Sequence, residues 1–290
     1  MSILDRILVP VDFSERSLGA ARYVEAIAGP QGCDITLLHV TTPLNYELSA
    51  LDVGGTVLTE LNSDRSAELR EQLDGFLKEQ LARFRVTRVL LDGDPARRIF
   101  EYAHENRVNL IVMPTHGYGL FRRFLLGSVT AKVLHDADCP VWTGVHIDEA
   151  PTVDAIHFRK VMVAVDLCAA QALKAIAWGS KFAEQYGAEM VIAHAYPSLE
   201  GRGGDEVAGW RENATRAASG EINKMQQKLG VDAPLLLEPG DPAAVITNLA
   251  AQEKADVLVI GRGSAAGVFG RLRANAYAII RQSPCPVVSV

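Results

Sequence analysis

Leu110-Ile-Val-Met-Pro-Thr-His-Gly-Tyr-Gly-Leu-Phe-Arg-Arg-Phe-Leu-Leu-Gly-Ser-Val-Thr130 is the stretch on which the fold turns. It opens with Leu110 to Met113, a short apolar run of the kind a parallel strand shows when both of its faces are covered, and Ala131-Lys-Val-Leu-His135 then resumes a helical pattern. Between the two lie Gly117 and Gly127-Ser128. Glycine lets backbone approach a ligand with no Cβ in the way, and the first turn of a helix offers an anion unpaired N–H groups and a positive dipole end. A strand, a glycine-bearing loop and a helix start together suit phosphate. Ser128 is expected at the N-cap, where its hydroxyl either caps the helix or meets a phosphate oxygen.

Working outward, the chain repeats itself. Arg6-Ile-Leu-Val-Pro-Val-Asp12 returns as Lys160-Val-Met-Val-Ala-Val-Asp166, and Asp34-Ile-Thr-Leu-Leu-His-Val40 returns as Glu189-Met-Val-Ile-Ala-His-Ala195. Gly93-Asp-Pro95 returns as Gly240-Asp-Pro242, Asn109-Leu-Ile-Val-Met-Pro114 as Asp256-Val-Leu-Val-Ile-Gly261, and Cys139-Pro-Val141 as Cys285-Pro-Val287. Matches in a constant order at half the chain length mean two tandem domains, not solenoid units. We expect domains at 1–146 and 157–290, with a linker near 145–158 that contains Asp148-Glu-Ala-Pro151. In the first repeat, Ile7 to Val11, Ile35 to Val40, Val86 to Leu91, Leu110 to Met113 and Val141 to Thr143 read as strands. Helices fit between them: Leu69, Leu73, Phe76, Leu77 and Phe84 recur at helical spacing, as do Ala214, Ala218, Ile222, Met225 and Leu229 in the second repeat. The expected fold class is therefore α/β, with a five-stranded, mostly parallel sheet covered on both faces in each domain. Thr41 to Leu58 is poorly patterned and no element is assigned to it.

With 290 residues, 48% of them hydrophobic and 22% charged, the chain can build two cores of ordinary size. The N-terminus carries Asp5 and Arg6 where a signal peptide needs its apolar core, and no run reaches membrane-spanning length, so a cytoplasmic protein is expected. Cys33, Cys139, Cys168 and Cys285 show no metal or redox spacing and read as reduced, mostly buried thiols. Net charge is -6; residues 1–150 hold 15 basic against 21 acidic side chains, and the remainder 14 against 14. That balance argues against a nucleic-acid footprint.

Asp94 and Asp241 read as helix N-caps followed by proline at the first helical position. Asp12-Phe-Ser-Glu15 also has capping-box character, so spacing alone leaves Asp12 between capping and function. Position favours function, because ligands of doubly wound sheets sit beyond the carboxyl ends of the strands where the strand order reverses. With these residues in view, the chain resembles the universal stress proteins: Pro10-Val-Asp12 after the first strand, and Gly117, nine residues, then Gly127-Ser128, look like that family's ATP-binding pattern. The resemblance covers both halves and implies tandem, Rossmann-like, doubly wound domains of strand order 3-2-1-4-5, with ATP, accompanied by Mg, at the crevice between strands 1 and 4. It also implies that Val40 meets adenine through its backbone, that Asp12 faces the adenosine part, and that Gly117, Gly127, Ser128, Val129 and Thr130 surround ribose and phosphates. Pro10 and Val11 beside Asp12, Met113 at the end of the fourth strand and His116 beside Gly117 complete the candidate set.

Two departures from the family pattern matter. Pro114 stands for its first glycine and removes one N–H donor. The second repeat keeps Gly261 but has Ser264 for the second glycine and Ala274-Asn275 where the first repeat has Gly127-Ser128, so its site is expected to be degenerate. Gly261-Arg-Gly-Ser-Ala-Ala266 mimics a dinucleotide fingerprint, but no Asp or Glu follows anywhere from Val257 to Val290 to bind a ribose, and the reading is rejected. No Gly-Lys dipeptide supports a Walker loop either. His39 and His194 read as structural, Arg122 and Arg123 as a solvated loop face, and no triad or metal-ligand spacing emerges. The expected function is an ATP-binding stress-response regulator of the cytoplasm, without dedicated catalysis and with at most slow ATP hydrolysis. The competing reading is a nucleotide-independent scaffold. Expected partners are the nucleotide and a second copy of the chain: the resemblance suggests that Val141 to Thr143 and Val287 to Val290, the last strands of the two sheets, mediate pseudo-twofold domain pairing and a homodimer. Neither nucleic acid nor a membrane is expected as a partner.

Overall fold

The apolar runs of the first repeat become β1 (Arg6–Pro10), β2 (Asp34–Thr41), β3 (Arg85–Asp92), β4 (Leu110–Val112) and β5 (Val141–Thr143), and the amphipathic stretches become α1 (Glu15–Ala28), α2 (Gly55–Gly75), α3 (Pro95–Glu105) and α4 (Ser128–Asp136). The structure is a computed structural model that describes residues 4–29, 32–42, 55–115, 126–144, 151–198, 205–262 and 270–290. Ile7, Leu8 and Val9 are all but inaccessible, as are Leu110, Ile111 and Val112. A strand flanked by helices on both faces has no polar side to show, which is why these runs are continuous and not alternating. The sheet order is β3-β2-β1-β4-β5. The β1 strand pairs parallel to both β2 and β4, with Ile7 opposite Ile35 on one side and Leu110 on the other. The order therefore reverses at β1 and β4, leaving a crevice beyond their carboxyl ends.

The second repeat builds the same topology by itself: β6 (Lys160–Ala164), α5 (Ala169–Tyr186), β7 (Glu189–Tyr196), α6 (Asp205–Leu229), β8 (Leu235–Pro239), α7 (Pro242–Gln252), β9 (Val257–Ile260), α8 (Gly270–Gln282) and β10 (Val287–Ser289), in the order β8-β7-β6-β9-β10. Its core includes a run of aromatic rings in which Phe182 meets Phe158 at 5.3 Å and Tyr186 at 4.5 Å between centroids. In α5, Gly179 lies directly over β6, where a Cβ would overlap Cγ2 of Val163. The chain divides into two compact units, one holding Met1–Val141 and the other His157–Val290.

Several expected local features appear. Asp94 accepts from the Arg97 N–H at 2.9 Å and Asp241 from the Ala244 N–H at 3.0 Å, each ahead of a proline in the first turn. The glycines before them, Gly93 at φ +136° and Gly240 at φ +142°, occupy backbone conformations that L side chains rarely adopt, so Gly-Asp-Pro is a turn and cap in one. Other expectations are corrected. The helical spacing of Leu69 to Phe84 outlives the helix, because α2 stops at Gly75 and Leu77 turns left-handed at φ +55°. Arg88 of β3 explains the stop: its Nε donates to the Leu73 carbonyl at 2.9 Å and its Nη2 to that of Phe76 at 3.1 Å, satisfying acceptors the ended helix leaves open. At the start of α1 the N-cap is Ser14 and not Asp12, and at the start of α4 it is Gly127, which puts Ser128 inside the first turn. All four cysteines are free thiols, but only Cys33 and Cys285 are buried; Cys139 is half-buried and Cys168 exposed.

Candidate functional site

At the mouth of the first crevice, Val11 continues β1 by donating its N–H to the Leu38 carbonyl at 2.9 Å. Its own carbonyl lies 2.7 Å from Nδ1 of His39, and since a carbonyl only accepts, Nδ1 is the protonated nitrogen. His194 repeats the contact with the Val165 carbonyl at 2.8 Å. Both histidines thus brace the ends of adjacent strands, in keeping with their structural reading. Asp12 follows directly. Its Oδ1 accepts from the Ser14 N–H at 3.1 Å, the Ser14 hydroxyl at 2.5 Å and the Ser17 hydroxyl at 3.2 Å, an Asx-type turn that holds the carboxylate at the strand end. Between them Phe13 adopts φ +62°, uncommon for a bulky residue, and its ring lies against His39 at 4.4 Å and edge-on to Phe76 at 5.3 Å. Ser14, Ser17 and Phe13 were not among the sequence candidates; the polar Ser-x-x-Ser spacing after Asp12 was the available signal.

Across the crevice, Pro114 and Thr115 leave β4, and the Gly127 N–H returns to the Thr115 carbonyl at 2.8 Å. Thr130 is buried and spends its hydroxyl on the Pro114 carbonyl at 3.1 Å, leaving its backbone N–H as the group to offer a ligand. Among the described residues no N-cap side chain closes the first turn of α4, because Gly127 stands at the cap. Ser128, Val129 and Thr130 therefore present backbone donors on an open helix start, with the Ser128 hydroxyl exposed. Met113 is buried just past β4, and Val40 reaches two residues beyond Leu38, the partner of Pro10, so it stands clear of the end of β1. The structure thus brings Pro10, Val11, Asp12, Val40, Met113, Gly127, Ser128, Val129 and Thr130 to the carboxyl ends of neighbouring strands. His116, Gly117, Arg122 and Arg123 lie outside the described residues. Among the described residues no cluster of three or more His, Cys, Asp or Glu suits a metal ion.

The matching crevice of the second domain holds a cavity of about 220 Å³ between the ends of β6, β7 and β9 and the helices α7 and α8. Asp166 occupies the place of Asp12 and keeps the amide contact, accepting from the Cys168 N–H at 3.1 Å. The two hydroxyls are gone: Cys168 and Gln171 replace Ser14 and Ser17, and the thiol turns to the Gln171 side chain. Burial raises the Asp166 carboxyl above the ordinary carboxylate range, against the opposing pull of the Cys168 amide and of His194. Ile279, buried and facing the cavity, stands in the place of buried Val133, since their carbonyls accept from Ser283 and Ala137 at the matching ends of α8 and α4.

The model of the universal stress protein family matches residues 4–143 and again 157–290. Universal stress protein MJ0531 of Methanocaldococcus jannaschii is 28% identical over 140 residues, 48% of this chain and 81% of its own length. Universal stress protein MJ0577 of the same organism is 28% identical over 156 residues, 49% of this chain and 95% of its own length. A universal stress protein from Archaeoglobus fulgidus, known from its crystal structure, shares the fold over 99% of this chain and 97% of its own, with a TM-score of 0.67 at 22% identity.

Proposed function

The chain belongs to the universal stress protein family as a tandem two-domain member, and from that premise we propose that its first domain binds ATP or a closely similar adenine nucleotide, as a cytoplasmic stress-response regulator. The observation that supports the reading is the first turn of α4, with glycine at its cap, opening past the end of β4 beside β1, the strand that Asp12 follows. Val40 offers its backbone to the base, Asp12 a carboxylate to the adenosine part, and the amides of residues 128–130 a cradle for phosphate oxygens. Met113 and Val11 supply the apolar floor.

In this reading any hydrolysis is slow and Mg arrives with the nucleotide. Among the described residues no helix is long and apolar enough to cross a membrane. Chains associate as homodimers in this reading, which light scattering at micromolar concentration tests. The direct test of function is to release bound small molecules from the purified protein by heat and identify them by chromatography. An adenine nucleotide near one equivalent is expected. A protein that carries none and takes up none on titration is instead a nucleotide-independent scaffold.

A further inference from the structure

We propose that the second domain's cavity binds a small uncharged ligand of nucleoside type and not a phosphorylated one, so that the two halves of the chain sense different forms of related molecules. Three observations converge on this. First, the helix that should cradle phosphate begins earlier. Asn275 and Ala276 occupy the positions of Val129 and Thr130, counted from the matching helix ends, but α8 starts at Gly270, so the amides that are open in the first domain fall in the second turn here and are spent on carbonyls four residues back. Second, the walls are apolar. Ile246, Ile260 and Ile279 line the space, and among its described lining residues the ionisable groups are Asp166 and His194. Among those described residues a phosphate would meet a carboxylate and apolar walls, with no lysine or arginine. Third, the base end is intact. Val165, Asp166 and Ala195 repeat the places of Val11, Asp12 and Val40.

Asp166 completes the match to a neutral ligand. It lacks the two hydroxyl donors that serve Asp12, sits half-buried against the cavity, and suits a ligand hydroxyl or amine as its next donor. About 220 Å³ is below the roughly 300 Å³ at which pockets begin to hold drug-sized molecules, enough for a base and part of a sugar. The nucleoside class rests on reading the first domain as a nucleotide site, whereas the exclusion of phosphate rests on this domain alone.

The test uses the full chain and adenosine as the probe, titrated calorimetrically in the presence of saturating ATP. One equivalent of adenosine is expected to bind. Asp166→Asn, which keeps an oxygen for the Cys168 amide, should weaken adenosine by tenfold or more while leaving ATP affinity unchanged. Ala276→Leu, which fills the cavity from α8, should abolish adenosine uptake, and circular dichroism of both variants confirms folding. No adenosine uptake beside ATP, uptake indifferent to both variants, or a second ATP that adenosine displaces would each overturn the proposal. A chain that binds no ATP but takes up adenosine in an Asp166-dependent way would remove the first-domain reading and support this one.

Discussion

Asp12 and Asp166 are the same residue in two environments, and their neighbours set what each can do. Asp12 is held by an amide and two hydroxyls, whereas Asp166 keeps only the amide and is held above the ordinary carboxylate range by burial. A carboxyl whose folded pKa exceeds its unfolded value binds its proton more tightly in the native chain. Stability is then greatest below the unfolded pKa and falls as pH rises through the folded one. Asp166→Asn cannot ionise, so it should melt higher than wild type at neutral pH, with the gap closing as pH drops into the carboxylate range. Scanning calorimetry across that window checks the sign, and a gap that widens in acid would refute it. The cysteines give a second residue-scale expectation. Burial pushes the Cys33 thiol up to about 11 and the Cys285 thiol up to about 12, while Cys168 is exposed at the start of α5. Iodoacetamide should label Cys168 first and spare Cys33 and Cys285 until the chain unfolds, as read by mass spectrometry. Composition reads the oxidation state of these thiols correctly but not the exposure of Cys168, which depends on the burial of the first turn of α5.

Elements are legible where one short-range cause decides them and illegible where a distant side chain does. The Gly-Asp-Pro caps needed nothing beyond three residues, and Asp94→Ala or Asp241→Ala should each cost about 1 kcal/mol in denaturant titration. The end of α2 was not readable, because Arg88 on β3 satisfies its last carbonyls and no local pattern announces an arginine twelve to fifteen residues away. The start of α4 was misplaced by one residue for a related reason: Ser128 is a good capping residue, but the strand-end geometry assigns the cap to Gly127, and at α1 it assigns it to Ser14, leaving Asp12 to the crevice. Glycine in helices makes the same point energetically. Gly220 of α6 has open space around its Cα, so Gly220→Ala should stabilise by up to about 1 kcal/mol. Gly179 of α5 has Val163 against it, and Val163 is fully buried on the central strand, so Gly179→Ala should destabilise by about 1–3 kcal/mol. Equal effects from the two substitutions would contradict the packing of α5 on β6.

For the whole molecule the duplication was the most legible fact, since it needs only self-comparison, whereas the strand order of the two sheets came from the family resemblance. What self-comparison could not supply was the consequence of divergence. Gly127-Ser128 against Ala274-Asn275 reads in the sequence as two point changes, whereas in the structure α8 already runs from Gly270 and α4 begins only at Ser128, and the matching helix ends set Ala274 opposite Ser128. That difference makes ATP stoichiometry the property to measure, and one ATP per chain is expected. Gly127→Ala with Ser128→Asn tests it. Gly127 sits at φ -59° and ψ 146°, which any residue adopts, so the variant should fold. The added Cβ would then stand where phosphate approaches, and the exposed Ser128 hydroxyl would be lost. Charge-assisted hydrogen bonds are worth about 1.5–3 kcal/mol each, and every 1.4 kcal/mol is about tenfold, so the paired change should weaken ATP by roughly a hundredfold or more. Calorimetric titration reads both quantities at once. Two equivalents of ATP in wild type, or undiminished affinity in the double variant, would move the phosphate site away from the start of α4.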